Sequence, residues 1–295
     1  MKLVIEKPVT VITPSIGSKK LLDAIMSVAT QTYKCKHLIV IDGPEFSESV
    51  MDIIKITQMM DPQPNINVVV SPENTGKTGG NFYGHRIYAA YPHLVNEDYV
   101  LFLDEDNWWD KNHVKSLIDM IEDKNLDWAY SLRKVYSNNN YLDDDCCESI
   151  GKYPIWFTWP DKLQYLIDTS SYCFKREFIT RVCHIWHWGW GGDRRFFMII
   201  KDTPGMKYET TGLHTLNYNL PDMEKAYGGD MEFFKKGNEM LLLLTNAAEE
   251  HYGKPIAINK DQILSVYSGE ITSEDGVVTI VTNIFCPPHG IWNVL

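Results

Sequence analysis

The sequence predicts an α/β fold, in which a mostly parallel central sheet is flanked by helices and followed by a smaller C-terminal appendage. Short apolar runs rich in β-branched residues alternate with stretches of helical spacing, and turn-forming residues follow each run. Strands and helices that alternate in this way form parallel sheets covered on both faces. The chain has 295 residues, 44% of them hydrophobic, which is enough to bury a sizeable core.

The alternation continues from one element to the next. The predicted strands are residues 9–13, 38–41, 66–70, 99–103 and 129–133. The predicted helices are residues 19–30, 50–60, 81–91 and 111–123. Residues 137–168 are rich in Asn, Asp, Trp and Pro and predict long functional loops. Because parallel sheets bind ligands beyond the carboxyl ends of their strands, we expect the site just after the predicted strands.

The character of the chain changes near residue 221. Residues 231–252 predict an amphipathic helix, and residues 262–267 and 277–281 predict two paired strands around a turn. We therefore predict two domains, residues 1–220 with the central sheet and residues 221–295 with a helix and a β-hairpin.

Composition excludes several classes of partner. The chain has 28 Lys and Arg against 39 Asp and Glu, a net charge of −11, which argues against nucleic acid as a partner. No run reaches the roughly 20 apolar residues of a membrane-spanning helix, and the first residues lack a signal-peptide pattern. Six cysteines are scattered without a CxxC pair, which predicts reduced thiols. We expect no membrane span and a cytoplasmic location.

An acidic motif, Asp104, Glu105 and Asp106, directly follows a predicted buried strand. Two carboxylates at a sheet edge repel each other unless a cation lies between them. Mg²⁺ and Mn²⁺ prefer such oxygen ligands and also take phosphate oxygens of a substrate. The alternative is an acidic turn that caps the next helix. The position at a strand end favours the metal, so we predict that Asp104 and Asp106 hold Mn²⁺ or Mg²⁺.

Four motifs follow successive strand ends. They are Thr13, Pro14 and Ser15, then Asp42, then residues 74–81 (NTGKTGGN), and then the acidic motif. In this order they resemble the inverting nucleotide-sugar glycosyltransferases of the GT-A fold, in particular family two, over about residues 8–215. The resemblance implies a Rossmann-like GT-A fold and transfer of a sugar from a nucleotide-diphosphate donor, UDP by analogy, to a hydroxyl of a glycan or other acceptor. It implies donor contacts from Thr13, Pro14, Ser15, Asp42, Asp104 and Glu105.

The segment Gly76-Lys77-Thr78 also imitates the end of a phosphate-binding Walker A loop. The glycine that should open such a loop is replaced by Ser71, which disfavours this interpretation. Lys77 remains a candidate contact for the donor diphosphate, and Arg86 is a weaker one.

Residues 188–193 (WGWGGD) resemble the Gly-Trp-Gly-Gly-Glu-Asp segment of β-1,4-galactosyltransferases. This resemblance implies acceptor contacts from Trp190, Gly191 and Gly192 and a catalytic base at Asp193. The chemistry agrees, because an acceptor hydroxyl needs a carboxylate in hydrogen-bond reach and paired glycines let backbone approach a sugar. The structural alternative is that Asp193 caps the following helix.

His214 follows the strand-like residues 207–211. It corresponds to the histidine that completes the metal shell in several GT-A enzymes, and an imidazole ligand suits Mn²⁺ better than Mg²⁺. A solvated histidine is the alternative.

Two other functions remain open. A catalytically silent carbohydrate-binding module could keep the fold, although acids at positions 104, 106 and 193 together argue against it. A sugar nucleotidyltransferase would release pyrophosphate rather than a nucleoside diphosphate.

Overall fold

The computed structural model describes residues 6–77, 82–137, 140–144, 156–159, 162–164 and 167–220, and five strands between residues 241 and 294. The chain divides into two compact units, Met1–Asp222 and Met223–Leu295. Residues 78–81 of the predicted NTGKTGGN motif lie outside the described residues, and the individual residues predicted to contact donor, metal or acceptor all lie inside them, in the first unit. In the described ranges, no helix has the length and apolar character needed to cross a membrane.

The first half of the first unit alternates strands and helices. Its elements are β1 (Val9–Ser15), α1 (Leu21–Ala29), β2 (Lys36–Ile41), α2 (Ser47–Thr57), β3 (Ile66–Val70), α3 (His85–Ala90) and β4 (Tyr99–Phe102). The four strands are parallel and lie in the order β3-β2-β1-β4. The predicted βα alternation is therefore confirmed here.

The third helix begins later than predicted, at His85 rather than at residue 81. Gly84, which precedes it, has a φ of +81°, a left-handed conformation that glycine adopts without steric cost. A Cβ at Gly84 would lie 2.9 Å from the Cβ of Pro14. The chain thus passes close to β1 before the helix starts.

The second half brings antiparallel strands into the same sheet. Its elements are β5 (Trp108–Trp109), α4 (His113–Lys124), β6 (Trp128–Ser137), β7 (Asn140–Asp144), β8 (Trp156–Trp159), β9 (Lys162–Gln164), β10 (Tyr172–Lys175), α5 (Arg176–Val182), α6 (Gly192–Ile200) and β11 (Tyr208–Asn219). Strand β10 lies antiparallel between β4 and β6, and β11 is parallel to β6. The sheet is therefore mixed, with β3-β2-β1-β4-β10-β6-β11-β5 as its order.

The segment predicted as long loops, residues 137–168, contains three strands. Strand β7 pairs with β6, and β8 pairs with β9. Their sequences are polar or aromatic and lack the apolar alternation that marked the earlier strands.

Helix α4 covers one face of the sheet. Its side chains Val114, Leu117 and Ile121 are fully buried in a cluster with β1, β4 and β10. At the start of that helix, His113 stacks on Trp109 with 4.3 Å between ring centroids. This packing holds the chain that follows the acidic motif against the sheet.

The described strands of the second unit form two antiparallel sheets. Strand β12 (Leu241–Thr245) pairs with β13 (Pro255–Asn259), and β14 (Ser265–Thr272) pairs with β15 (Val278–Cys286), which pairs with β16 (Gly290–Val294). The predicted hairpin is confirmed as β14 and β15.

The helix predicted over residues 231–252 is wrong at Leu241–Thr245, which is a strand. The reason is visible in the sequence, since four consecutive leucines lack the spacing of an amphipathic helix and suit a short strand. The remainder of that range lies outside the described residues.

Candidate functional site

Three parallel strands deliver the predicted donor-site residues to one edge of the sheet. The backbone N–H of Asp42, just after β2, donates to the carbonyl of Ser15 at the end of β1, at 2.9 Å. The hydroxyl of Ser15 donates to Glu105 Oε2, at 2.6 Å. The ends of β1, β2 and β4 therefore meet, as expected for carboxyl ends of parallel strands.

Asp104 is held on both carboxylate oxygens. The Tyr88 hydroxyl donates to Oδ1 at 2.6 Å, and the Ser170 hydroxyl donates to Oδ2 at 3.4 Å. The Ser170 oxygen also accepts the backbone N–H of Asp104, at 3.1 Å. Each carboxylate oxygen keeps a further lone pair, so the carboxylate is fixed in orientation and retains capacity for another partner.

Negative charge is concentrated around the acidic motif. Burial raises the pKa of Asp104 to about 8, and the charges of Asp168 and Asp106 add to the rise. Burial also raises the pKa of Asp106 to about 6, against the opposing charge of Lys20. Carboxylates with raised pKa values lack a compensating positive charge, and a divalent cation would supply it.

The chemistry of this donor set fits Mn²⁺ or Mg²⁺. Both ions prefer oxygen ligands, and Mg²⁺ typically uses one or two carboxylates and completes its shell with substrate phosphates and water. Within the described ranges, no group of three or more His, Cys, Asp or Glu side chains could hold a metal ion. The oxygen ligands of Asp104 and Asp106 fit such an ion, and that they hold one stays a prediction.

Glu105 has structural partners on both oxygens. In addition to Ser15, the backbone N–H of Ser18 donates to Oε2 at 3.0 Å and that of Ile16 to Oε1 at 3.2 Å. Glu105 thus fastens the β1–α1 loop to the acidic motif. A donor contact from Glu105, which the family resemblance implies, would have to share these oxygens.

The three residues at the end of β1 differ in what they can offer a donor. Thr13 is fully buried, and its hydroxyl lies 2.8 Å from His37 Nε2 inside the sheet. The hydroxyl of Thr13 is therefore occupied within the fold, and a donor contact from Thr13 stays a prediction. Pro14 lies against Gly84, and Ser15 is buried beside Glu105.

Asp42 closes the loop that follows β3. The backbone N–H of Thr75 donates to Asp42 Oδ1 at 2.8 Å, and the Thr75 hydroxyl donates to Oδ2 at 3.1 Å. Arg86 donates to the Thr75 carbonyl at 3.1 Å, and Lys77 forms an ion pair with Glu45. Asp42 is only 4% exposed, so the donor contact that the family resemblance implies for it would compete with this loop-closing role.

His214 is placed away from the two aspartates. It lies in β11, where its Nδ1 is 3.8 Å from Asp144 Oδ2. In the antiparallel pairing of β5 with β11, Trp109 lies opposite Leu216. The backbone N–H of Asn219 donates to Asn107 Oδ1 at 3.0 Å.

The chain beside the acidic motif is therefore the end of β11, beyond His214. The structure does not bring His214 to Asp104 and Asp106, and its role as a third metal ligand stays a prediction.

The predicted acceptor loop, residues 188–193, is anchored by His85. His85 Nδ1 lies 2.9 Å from the carbonyl oxygen of Trp188 and 3.1 Å from that of Gly189. Trp190 is 64% exposed, whereas the neighbouring Trp186 is fully buried in the aromatic core. The loop thus presents the indoles of Trp188 and Trp190 to solvent, while the buried His85 fixes its backbone.

Asp193 lies in the first turn of α6, where its Oδ1 accepts the backbone N–H of Arg194 at 2.8 Å. Its charge contributes to the raised pKa of Asp168, for which burial is the main cause and which Arg133 opposes. The charge of Asp168 in turn acts on Asp104. Asp168 is therefore close enough to both Asp193 and Asp104 for their charges to interact.

A model of the family described as "Glycosyl transferase family 2" matches residues 10–179, more than half of the chain. The chain belongs to glycosyl transferase family 2. The match ends before residue 188, so the likeness of the acceptor loop to β-1,4-galactosyltransferases stays a prediction. No curated protein matches the sequence significantly.

Solved structures show the same fold at low sequence identity. S. aureus TarS residues 1–349 has a TM-score of 0.53 and 14% identity, over 72% of this chain and 60% of that chain. Its complex with UDP has a TM-score of 0.52 and 13% identity over the same shares. The mannosyltransferase PcManGT from Pyrobaculum calidifontis, in complex with GDP-Man and Mn²⁺, has a TM-score of 0.51 and 14% identity, over 76% and 59%.

This family 2 glycosyltransferase thus spans about 60% of the length of the TarS chains that it resembles. At these identities the similarity shows the fold alone. The expected GT-A architecture and family two membership are both confirmed.

Several residues that build the candidate site were not predicted from the sequence. Asp168 forms a buried ion pair with Arg133 at 2.7 Å and accepts the N–H of Ser170 at 2.9 Å. Tyr88 and Ser170 orient Asp104. A run of small polar residues at 168–171 before an apolar strand was the only local signal. Tyr88 and Arg133 carry no local signal at all.

Gly192→Ala is expected to displace the acceptor loop. A Cβ at Gly192 would lie 2.6 Å from His85 Nδ1, and His85 is buried and hydrogen-bonded, so it cannot yield easily. Such overpacking costs about 1–3 kcal/mol. Urea unfolding of Gly192→Ala, His85→Ala and the double variant measures the coupling. Gly192→Ala should lower the free energy of unfolding clearly less when His85 is already alanine. If the losses of the two single variants add up in the double variant, the two side chains do not pack against each other as described.

Proposed function

We propose that this family 2 glycosyltransferase is metal-dependent and inverting, and that it moves a sugar from a UDP-sugar to a hydroxyl of a glycan or other acceptor. The observation that carries the proposal is the acidic pair Asp104 and Asp106 at the end of β4, close enough to Asp168 for their charges to interact. Complexes of structural neighbours with UDP, and with GDP-Man and Mn²⁺, support it.

The donor side consists of residues at the strand ends. Asp104 and Asp106 would hold Mn²⁺ or Mg²⁺, and a bound cation supplies neutralisation of the charge that develops on the leaving diphosphate. Tyr88 and Ser170 keep the carboxylate of Asp104 oriented. Glu105 keeps the β1–α1 loop in place beside the motif.

The acceptor side is the loop at the start of α6. Trp190 offers an exposed aromatic face for the apolar face of a sugar ring, and Gly191 and Gly192 allow close backbone approach. Asp193 takes the proton of the acceptor hydroxyl. The hydroxyl oxygen forms a bond to the anomeric carbon, and the bond from that carbon to the diphosphate oxygen breaks with its electron pair. A single displacement of this kind inverts the anomeric configuration.

Two further assignments belong to the same proposal. Residues 1–220 form the glycosyltransferase domain, and residues 221–295 form an appendage to it. The scattered cysteines, without a CxxC pair, support a cytoplasmic location.

Thermal unfolding with nucleotides tests the proposed donor. UDP and UDP-sugars together with Mn²⁺ should raise Tm by several degrees, because a ligand at 100 times its Kd stabilises the native state by about 2.7 kcal/mol. The shift should vanish with excess chelator. Released UDP in a donor-hydrolysis assay identifies a glycosyltransferase, whereas released pyrophosphate identifies a nucleotidyltransferase. A silent carbohydrate-binding module would release neither.

Asp42→Ala tests which nucleobase is read. A carboxylate can accept the imide N–H of uracil, a hydrogen bond that cytosine does not offer at that ring nitrogen. Isothermal titration should therefore show that the variant weakens UDP more than CDP. An unchanged ratio of the two affinities, with lower stability, would mean that Asp42 serves only to hold Thr75.

A further inference from the structure

Two arginines follow the proposed base and stack on the two exposed indoles of the acceptor loop. The guanidinium carbon of Arg195 lies 3.8 Å from the ring centroid of Trp188, and that of Arg194 lies 5.0 Å from the centroid of Trp190. A guanidinium stacked on an indole is held flat by the ring. The N–H donors of Arg195 lie in the plane of its guanidinium group, so the contact with the indole ring does not use them.

These side chains surround a pocket. Trp190, Gly191, Arg194, Arg195 and Met198 line a cavity of about 320 Å³, at the lower end of the range of small-molecule sites, roughly 300–1,000 Å³. Arg194 and Arg195 lie one helical turn before Met198, so the three side chains share a face of α6. The pocket therefore combines an aromatic wall with two cationic groups.

The positive charge of the two arginines is confined to this pocket. The whole chain carries a net charge of −11, so its overall field does not attract anions. Arg195 is exposed, and no acidic side chain in the described part of the chain forms an ion pair with it. A guanidinium can donate to sugar hydroxyls, but its fork matches the paired oxygens of a phosphate or carboxylate group and binds them more strongly.

We infer that the acceptor is anionic: a sugar that carries a phosphate or carboxylate group, which Arg195 binds while Trp190 contacts the ring. The inference rests on the proposed function, since it names the class of acceptor for that site. It makes Arg195 a specificity-determining residue.

Isothermal titration of the enzyme saturated with UDP and Mn²⁺ tests the inference, because the donor site is then filled. The probes are glucose 6-phosphate, glucuronate, neutral glucose and inorganic phosphate. At least one anionic sugar should bind about tenfold or more tightly than glucose, as expected for charge-assisted hydrogen bonds. The two anionic sugars distinguish a phosphate-bearing acceptor from a carboxylate-bearing one.

Arg195→Gln should reduce that preference to roughly twofold or less, since it keeps length and polarity but removes the charge. Arg181→Gln is the matched control, because Arg181 also lies over an aromatic ring, Phe178 at 5.8 Å, but on α5. It should keep the full preference. Circular dichroism and thermal unfolding check the fold of both variants.

The other outcomes overturn the inference. If glucose and the anionic sugars bind equally well, the acceptor is not selected for its charge. The inference also fails if Arg195→Gln keeps the full preference for anionic sugars. It fails as well if no anionic sugar binds at millimolar concentration. Inorganic phosphate that binds as tightly as glucose 6-phosphate indicates a simple anion site without sugar recognition. A prior titration of UDP with Mn²⁺ tests the donor site alone. If the proposed function is wrong, UDP does not bind in that first titration. If only the acceptor inference is wrong, UDP binds but the preference for anionic sugars is missing.

Discussion

Asp106→Ala is expected to abolish metal-dependent turnover while the protein stays folded. If Asp104 and Asp106 hold the cation, loss of one of these two carboxylates would remove the charge that neutralises the leaving diphosphate. Such charge stabilisation is worth several kcal/mol, so turnover should fall by about 10³-fold or more. Initial rates of donor consumption over a range of Mn²⁺ concentrations measure the loss.

The Asp106→Ala variant should stay folded, because without a metal ion the buried charge of Asp106 destabilises the native state. Burial raises its pKa to about 6, so near pH 7 the ionised carboxylate destabilises the native state. In metal-free buffer the variant should therefore unfold at the same temperature as the parent or higher, and Mn²⁺ should no longer raise Tm.

Asp119→Ala is a suitable control, because Asp119 is an exposed acid of α4 that pairs with Lys115. It should leave the response to metal unchanged. Full activity of the parent enzyme in excess chelator would refute metal dependence altogether.

Asp193→Asn is expected to stop transfer with donor affinity little changed. Asparagine preserves the shape of the side chain but cannot take a proton from the acceptor hydroxyl. A general base contributes about 10²- to 10⁴-fold to the rate, so kcat should fall within that range while the Kd of UDP stays close to that of the parent. Stopped assays of sugar transfer and titration of UDP separate the two effects.

Asp202→Asn controls for loss of an acid in the same region, since Asp202 is an exposed residue just after α6 that pairs with Lys201. Its kcat should match that of the parent. If Asp193→Asn instead loses UDP binding while it remains folded, Asp193 positions the donor and the base lies elsewhere.

Much of the fold could be predicted because its signals are local. β1, β2 and β4 are apolar runs that end at turn-forming or acidic residues, and each signal spans only a few neighbouring residues. The prediction failed where the local pattern was ambiguous or polar. The leucine run Leu241–Thr245 became a strand, and the polar or aromatic segments of β7, β8 and β9 were mistaken for loops.

The candidate site divides in the same way. The acidic motif and the acceptor loop are short segments whose chemistry is readable in order along the chain. The residues that orient them come from distant positions: Tyr88 and Ser170 reach Asp104 from α3 and from the turn before β10, and His85 reaches the acceptor loop. Contacts of this kind depend on which strands become neighbours, and the insertion of β10 between β4 and β6 leaves no periodic trace.

By itself, the sequence determined the alternation of strands and helices, the order of the motifs and the chemistry available at each strand end. The tertiary structure alone decided that the side chain of Thr13 faces inward to His37, that Glu105 serves the β1–α1 loop, and that His214 lies beside Asp144. The physical reason is that hydrogen-bonding capacity belongs to a residue type, whereas the partner that uses it is set by the register and packing of segments far apart in the chain.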